Sequence, residues 1–559
     1  MDITKPKDLP AFYYWDYFGM IIQFIEKHYL NLLSNEELHF LQIYQSLPFE
    51  GQCLLIRLGS RKPIWFHEKK IDYKEIPNLL SAFEILKQNK LIIELSELND
   101  FSSDELLTEL TKDELFQLCK EFPKEKSLPK SSSKEAFLQF FKGFKPDQIQ
   151  DKICSLFPDF ITLSYQKKFD FFQFLFFGSK SRDLTDFVVK DLGFRQFFEI
   201  KEDELIPYFT SREVALEKWQ ISNWNEQFYE ASKSPLNPIE WIDSWNREIL
   251  PLMKTISDLS IGSFERSVYL LARYLERMDL TDEALEIYEY GLSSKCLERR
   301  IRILTKLKRN QEAIQWARVG LELFHHPNDR HFYLDYLARI QPEKTIKQVT
   351  QKLKAAESIE LVKDSSLSVE QQVANFYLKN GFQAEFTENT LWKNLIGLLT
   401  WEIIFNTQHH QFSHPFQLAP AEYRLEGFGL ANLAYFHQKL ELLSDKNKLW
   451  EHFETILQNH QGTLNPLIDW QYVDMDLLKI FLDRVSINSL SSVLEQLWLN
   501  VATHSKGFPD LMVWNEETLF FVEVKSPNDQ LSPIQYFWNE VLNSVGITSK
   551  ILRIKWLKN

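Results

Sequence analysis

Three residues near the C-terminus combine types and spacing that could do chemistry: Asp510, Glu523 and Lys525. Side chains alternate along a strand, so in FVEVK the Glu523 and Lys525 side chains share one face while Val522 and Val524 point into a core. Asp510 follows Pro509, and a hairpin from Leu511 to Glu523, turning at Trp514-Asn515-Glu516-Glu517, would set it beside Glu523. Two hard oxygen ligands suit a divalent cation such as Mg2+ or Mn2+, which lowers the pKa of an attacking water. The lysine could orient that water and stabilise charge building on phosphorus oxygens. The same letters also describe an exposed edge strand carrying an ion pair, so the elements around them have to decide.

Those elements change character along the chain. Residues 507–556 read turn, strand, turn, strand, loop, helix, strand, whereas most of what precedes them shows helical spacing, as in FGMIIQFIEKHYLNLL, with Ser34 as a cap before NEELHFLQIYQSL. With 559 residues, 44% hydrophobic and 25% charged, and only 16 Gly and 21 Pro, the chain is globular and large enough for several domains. Its 45 Phe predict helices that bury aromatic faces against one another. The net charge of −14 excludes a surface that is basic all round, so contact with nucleic acid must be local. Cys53, Cys119, Cys154 and Cys296 are widely spaced and form no CxxC, which argues against a zinc finger or a disulfide framework. The N-terminus lacks a signal-peptide pattern, and the apolar stretch 391–405 is short and carries Lys393 and Glu402, which predicts a buried helix and no membrane span.

Three local basic features stand out. CLLIRLGSRKPIWF interleaves Arg57, Arg61 and Lys62 with apolar and aromatic residues, consistent with phosphate contact or with a solvated edge beside a core. LTKDELFQLCKEF and SKEAFLQFF, joined by KEKSLPKSSS, resemble a SAP-type DNA-binding motif that would bring Lys120, Lys124, Lys126, Lys130 and Lys134 to or near the turn. Between Ser263 and Arg339, DEALEIYEYGL and QEAIQWARVGL align at an offset of 29 residues, which suggests a tetratricopeptide-like stack. Inside it, residues 295–309 hold seven cations against the single acid Glu298, a local charge of +6, and this marks Arg299, Arg300 and Arg302 as phosphate-binding candidates. Pairing with acids of adjacent repeats is the alternative. His410 and His414 lack an acidic base and stop at Pro415, and Cys119 lies on an apolar helix face, so neither suggests a reactive centre.

Asp510, Glu523 and Lys525 form the PD…ExK pattern of metal-dependent nucleases, and the surrounding letters extend it: Gly507-Phe-Pro-Asp, Glu-Val-Lys, Pro527-Asn-Asp, Leu531-Ser, then Gln535 before aromatics. Together they resemble the virus-type replication-repair nuclease domain. Further matches, GFQAEFTENTLWKNLIGLLTWEIIF, HPFQLAP, LLIRLGSRK, LFFGSKSRDLTDFVVKDLG, FTSREVA and LERRIRILTKLKR, carry the resemblance to the Fanconi-associated nuclease family over nearly the whole chain. The chain departs from the pattern at Ser526, where the family usually has Gly, and at Phe386, where it commonly has His.

The resemblance implies a multidomain, mainly α chain ending in an α/β PD-(D/E)xK nuclease domain. The expected regions are a helical N-terminal domain over 1–105, a SAP-like motif over 106–145, and a helical connecting and DNA-binding region over 146–260. A tetratricopeptide-like domain over 261–370 and the nuclease domain over 371–559 complete the chain. It also implies a structure-selective enzyme of interstrand crosslink repair that cuts 5′ flaps and degrades 5′ to 3′. The metal ligands would be Glu388, Asp510, Glu523 and the Val524 carbonyl, with Lys525 as electrostatic helper and Gln535 in support; Glu388 would lie near the N-terminus of a helix, with Thr387 and Asn389 as candidate caps. Flapped or branched double-stranded DNA with a 5′ end would be the partner, without a membrane or a ubiquitin-binding zinc finger, in the bacterial cytoplasm or a eukaryotic nucleus. Protein partners are unspecified. Holliday-junction resolution and a non-catalytic DNA-binding scaffold are the rival readings.

Overall fold

The computed structural model describes residues 9–98, 102–123, 128–192, 195–340, 348–425 and 427–557. They form two compact units, one of residues up to 194 with 207–215, the other of 195–206 with 216 onward.

The first unit is helical around a small antiparallel sheet, β1 (Trp65–His67), β2 (Ile92–Glu94) and β3 (Phe160–Leu163), in the order β1-β3-β2. The expected use of phenylalanine holds here: Phe18 stacks on Phe169 with centroids 4.7 Å apart, and Phe40 stacks on Tyr165 at 5.7 Å. Ser34 accepts from the Glu37 amide and Glu37 accepts from the Ser34 amide, a reciprocal cap for the helix Asn35–Ser46. Helices Lys112–Cys119 and Lys134–Phe141 face each other through Phe116, Phe137, Phe122 and Phe141. Lys124 and Lys126 lie outside the described residues.

In the second unit, helices Asp258–Arg277, Thr281–Tyr288, Ser294–Lys306, Asn310–Leu323 and Pro327–Ile340 pack in sequence around one core. The aligned small residues of the 29-residue repeat make its tightest contacts. Ala284 and Ala313 are fully buried, and a Cβ on Gly291 or Gly320 would come within 3 Å of Cys296 or Tyr333.

The second unit also holds a five-stranded sheet: β4 (Glu357–Val362), β5 (Gln383–Phe386), β6 (Leu511–Trp514), β7 (Leu519–Lys525) and β8 (Ser549–Leu557). Its order is β4-β8-β7-β6-β5, with β4, β8 and β7 parallel and β6 and β5 antiparallel. β4 precedes residue 371, so the sheet takes its first strand from ahead of the expected nuclease region. The helix Val369–Lys379 covers one face through Val373, over Leu511, Val513, Val522, Val524 and Leu552. On the other face Trp392, Phe508 and Trp538 stack in series, at 5.4 and 4.1 Å, and Phe521 meets Trp392 at 5.9 Å. The stretch 391–405 is buried helix as expected, broken at Thr400, and among the described residues no helix is long and apolar enough to cross a membrane.

Candidate active site

β7 is the central strand of its sheet, so Glu523 and Lys525 do not lie on an exposed edge. Val522 and Val524 pack into the core on one face, as the alternation requires, and the opposite face is roofed as well. Asp510, Glu523 and Lys525 keep only 7, 2 and 7% of their surface exposed. The expected hairpin forms, with Leu511 opposite Val522, and this register sets Asp510 beside the Glu523–Val524 peptide. Asp510 Oδ2 accepts the Val524 amide at 2.7 Å, which fixes the carboxylate's direction.

Lys525 Nζ stands 2.9 Å from Glu523 Oε1 and donates to Gln535 Oε1 at 3.0 Å. Gln535 is itself held: its Oε1 accepts the Ser532 amide at 3.0 Å, and its own amide donates to Ser532 Oγ, closing a reciprocal cap on the helix Pro533–Ser544. Both Glu523 oxygens are shielded from solvent, and beyond the Lys525 ammonium at Oε1 they have no protein partner, Oε2 having none at all. Burial pushes the Glu523 carboxyl up to about 8, the Asp510 charge adding to it. Burial likewise lifts Asp510 to about 7 against the Val524 hydrogen bond, with the Glu388 charge pushing further. Two carboxylates crowded in a dry site with free lone pairs are costly unless a cation neutralises them.

Glu388 does not sit on a helix, as GFQAEFTENTLWKNL suggested; strand β5 ends at Phe386 and the next helix starts at Leu391. Glu388 occupies the turn between them. The Thr387 and Glu388 amides both donate to the Asp510 carbonyl, at 2.8 and 3.2 Å, so the peptide that carries Asp510 also carries Glu388. Asn389 takes a left-handed φ of 54°, donates to Glu388 Oε1 at 2.9 Å and accepts the Gly507 amide at 2.9 Å. The expected caps Thr387 and Asn389 do not cap: Thr390 precedes the helix, without a side-chain cap bond. Phe386, 53% exposed, lines a cavity of about 470 Å3 with Thr390, Asn394 and Tyr472 and offers the carboxylates no hydrogen bond.

These donors fit a hard divalent cation. Among the described residues no three His, Cys, Asp or Glu side chains close into a cluster that could hold a metal alone. Mg2+ takes one or two carboxylates and completes its shell with water and substrate phosphate, and Asp510 with Glu523 offers that much. Glu388 is half-buried and within electrostatic reach of both.

The basic candidates are less open than their letters suggested. Arg299 pairs with Glu276 through Nε at 3.0 Å and a second nitrogen, Arg300 reaches Glu289 at 3.1 Å and lies 3.9 Å over the Trp316 ring, and Arg302 pairs with Glu298 at 2.7 Å. Arg57 pairs with Glu75 at 3.1 Å, and both Arg57 and Arg61 lie over Tyr73. Lys130 pairs with Asp113 at 3.0 Å, and Lys134 donates to the Thr108 carbonyl. Lys62 is exposed. His410 is tied to Glu422 at 3.1 Å, and the His414 ring accepts the Phe416 amide. Sequence reasoning assigned Asn389, whose left-handed backbone no letter announces, to a cap and missed the bridge it makes from Glu388 to Gly507, and it missed the hinge at Gly507, where φ is 86°. The Ser532/Gln535 cap was readable as an S-x-x-Q signature before an apolar run.

Two family models match the chain: FAN1, HTH domain, over residues 12–93, and VRR-NUC domain over residues 446–556. A Fanconi-associated nuclease 1 homolog of Pseudomonas aeruginosa is 24% identical over 573 residues, covering all of this chain and 98% of that protein. The Oryza sativa homolog is 25% identical over 624 residues, and the match spans 96% of this chain but 62% of the longer plant protein. A crystal structure of paFAN1 bound to 2-nt 5′-flap DNA with a gap shares the fold, with a TM-score of 0.84 over 99% of this chain and 100% of that one at 22% identity. Family models at both ends and relatives matching end to end agree with the geometry of the C-terminal sheet: this chain is similar over its whole length to the Fanconi-associated nucleases, and its C-terminal region matches the VRR-NUC domain.

Proposed function

We propose that this nuclease is a structure-selective DNA phosphodiesterase that cuts beside 5′ flaps and degrades 5′ to 3′ in interstrand crosslink repair, using Mg2+ or Mn2+. The observation that carries the chemistry is Glu523: a buried carboxylate on the central strand, beside Asp510, whose Oε2 has no partner and whose Oε1 meets only the Lys525 ammonium. The flap preference is carried over from paFAN1, which was crystallised with 5′-flap DNA.

Asp510 and Glu523 would hold the ion, with Glu388, on the turn hydrogen-bonded to the Asp510 carbonyl, and the Val524 carbonyl as further oxygen donors. The bound ion supplies Lewis acidity and an activated water. Asp510 is held in one orientation by the Val524 amide, so the ligand geometry is set before substrate arrives. Lys525, held by Gln535 and Glu523, keeps an ammonium where charge develops on the scissile phosphate, in a site from which protein excludes water. Affinity for DNA falls to cations away from this centre, with Arg299, Arg300, Arg302, Arg57, Arg61, Lys62, Lys130 and Lys134 as candidates; most would exchange an internal carboxylate or carbonyl for a phosphate.

Labelled flap, fork, four-way-junction and nicked duplexes, incubated with and without chelator, test the reading. Chelator-sensitive cleavage that favours the 5′ flap supports it. Junction resolution in preference to the flap, or no cleavage of any substrate with either metal, rejects it.

A further inference from the structure

Arg553 on β8 has no assigned work, and its position gives it some. β8 pairs in parallel with β7 on one side and β4 on the other, and the register sets Arg553 level with Lys525 and with Ser358. Laterally paired residues of neighbouring strands project to the same face, about 4.8 Å apart. Arg553 therefore belongs to the face that carries Glu523 and Lys525, level with the carboxyl end of β7, where parallel sheets commonly bind ligands.

The neighbours leave this arginine without a counter-charge. Ser358 on one side is neutral and Lys525 on the other is a cation. Glu523 is level with Ile551, two residues back along β8, and its contact goes to Lys525. By contrast Lys555, next on the same face, has Glu360 directly across on β4. The Arg553 Nε is shielded from solvent without a hydrogen-bond partner, and among the described residues no carboxylate pairs with the guanidinium. Like charges side by side on adjacent strands repel, in a chain where acids outnumber bases 78 to 64. An anion beside Lys525 would relieve both the repulsion and the unpaired Nε, and the planar guanidinium fork matches phosphate oxygens.

We infer that Arg553 binds a backbone phosphate of the cleaved DNA strand, the one adjoining the scissile phosphate, and so sets the register of that strand over Asp510 and Glu523. This rests on the nuclease reading for which phosphate is scissile. It does not require cleavage to be tested. Affinity of the full-length protein for a flap duplex is measured in chelator over a salt series, for the natural chain, Arg553→Ala, Arg553→Gln and Arg553→Lys. Ala and Gln weaken binding about tenfold at low salt, the size of a charge-assisted hydrogen bond. They also lower the slope of log affinity against log salt by about 0.9, one phosphate contact, and Lys restores the slope. A neutral methylphosphonate beside the cleavage site costs the natural chain the same affinity and costs Arg553→Ala nothing further. An unchanged salt slope, or a full methylphosphonate penalty in Arg553→Ala, overturns the inference whatever the variant's activity. Protein that binds with these signatures but cuts nothing when metal is added overturns the nuclease reading instead.

Discussion

Replacing Glu523 by Gln should remove cleavage and at the same time stabilise the metal-free protein above neutral pH. Burial, with the Asp510 charge adding to it, moves the Glu523 carboxyl from its ordinary 4.5 to about 8. A carboxyl raised in this way binds more protons folded than unfolded between the two values. Its contribution to stability is therefore complete below about pH 4.5 and lost as pH rises through 8. At 1.36 kcal/mol per pH unit the loss reaches on the order of 5 kcal/mol. Gln stands for the protonated acid at every pH, so the contact with Lys525 is already contained in that figure. The variant should match the natural chain below about pH 4.5, pull ahead by about 1.4 kcal/mol for each pH unit above that, and level off above pH 8. Hydrogen exchange of peptides spanning 519–525, measured in chelator across pH with correction for intrinsic rates, reads the opening free energy of β7 itself. A variant less stable than the natural chain at pH 8, or a difference that does not shrink toward pH 5, would refute the reasoning that the carboxylates are held in repulsion.

Lys525→Ala should lower single-turnover cleavage by about 10²- to 10³-fold with DNA affinity unchanged, the cost of one electrostatic donor aimed at developing charge; equal losses in both would make it a binding residue. Glu388→Gln should lose activity without a change in melting temperature and regain part of it at high Mn2+, since an amide is a poor ligand for a hard cation; full activity at low Mg2+ would remove Glu388 from the ligand set. Arg302→Ala, whose exposed partner is Glu298 one turn away, should leave the melting temperature unchanged and reduce the preference for 5′-phosphorylated over 5′-hydroxyl flaps; an unchanged preference would make the cluster structural. Gly507→Ala places a Cβ 2.9 Å from Ile534 at a φ of 86°, so it should cost about 1 kcal/mol or more in unfolding experiments and weaken cleavage through the Asn389 latch; a neutral variant would show that this hinge tolerates a side chain.

Much of the C-terminal sheet was legible because strand alternation is strict. Val522 and Val524 against Glu523 and Lys525 defined two faces, and the polar turn at 514–517 set the register that brings Asp510 across. The helical repeat was legible because Ala284, Ala313, Gly291 and Gly320 sit where helices touch and only small residues fit. Glu388 was harder: TENTLWKNL looks helical throughout, and the turn at 387–390 arises from tertiary bonds to the Asp510 carbonyl and Gly507 amide that no local pattern encodes. Charge density misled in the other direction. Residues 295–309 read as a free cationic patch because their carboxylates, Glu276, Glu289 and Glu312, come from neighbouring helices or beyond the run. Arg553 shows the converse, a single unremarkable letter whose lack of a partner appears only once β7 and β4 flank it.

If Asp510 and Glu523 hold the cation that makes phosphodiester hydrolysis possible, loss of either carboxylate charge should stop cleavage without loosening DNA. Single-turnover cleavage of a labelled 5′-flap duplex at saturating protein, titrated with Mn2+, compares the natural chain with Asp510→Asn while DNA affinity is measured alongside. Asn retains an oxygen that can accept the Val524 amide but gives up the charge. The natural chain should cleave only with metal, and the Asp510→Asn protein should bind the flap equally well yet stay inactive across the titration. Near-normal cutting by Asp510→Asn, or cutting by the natural chain in chelator, would contradict this.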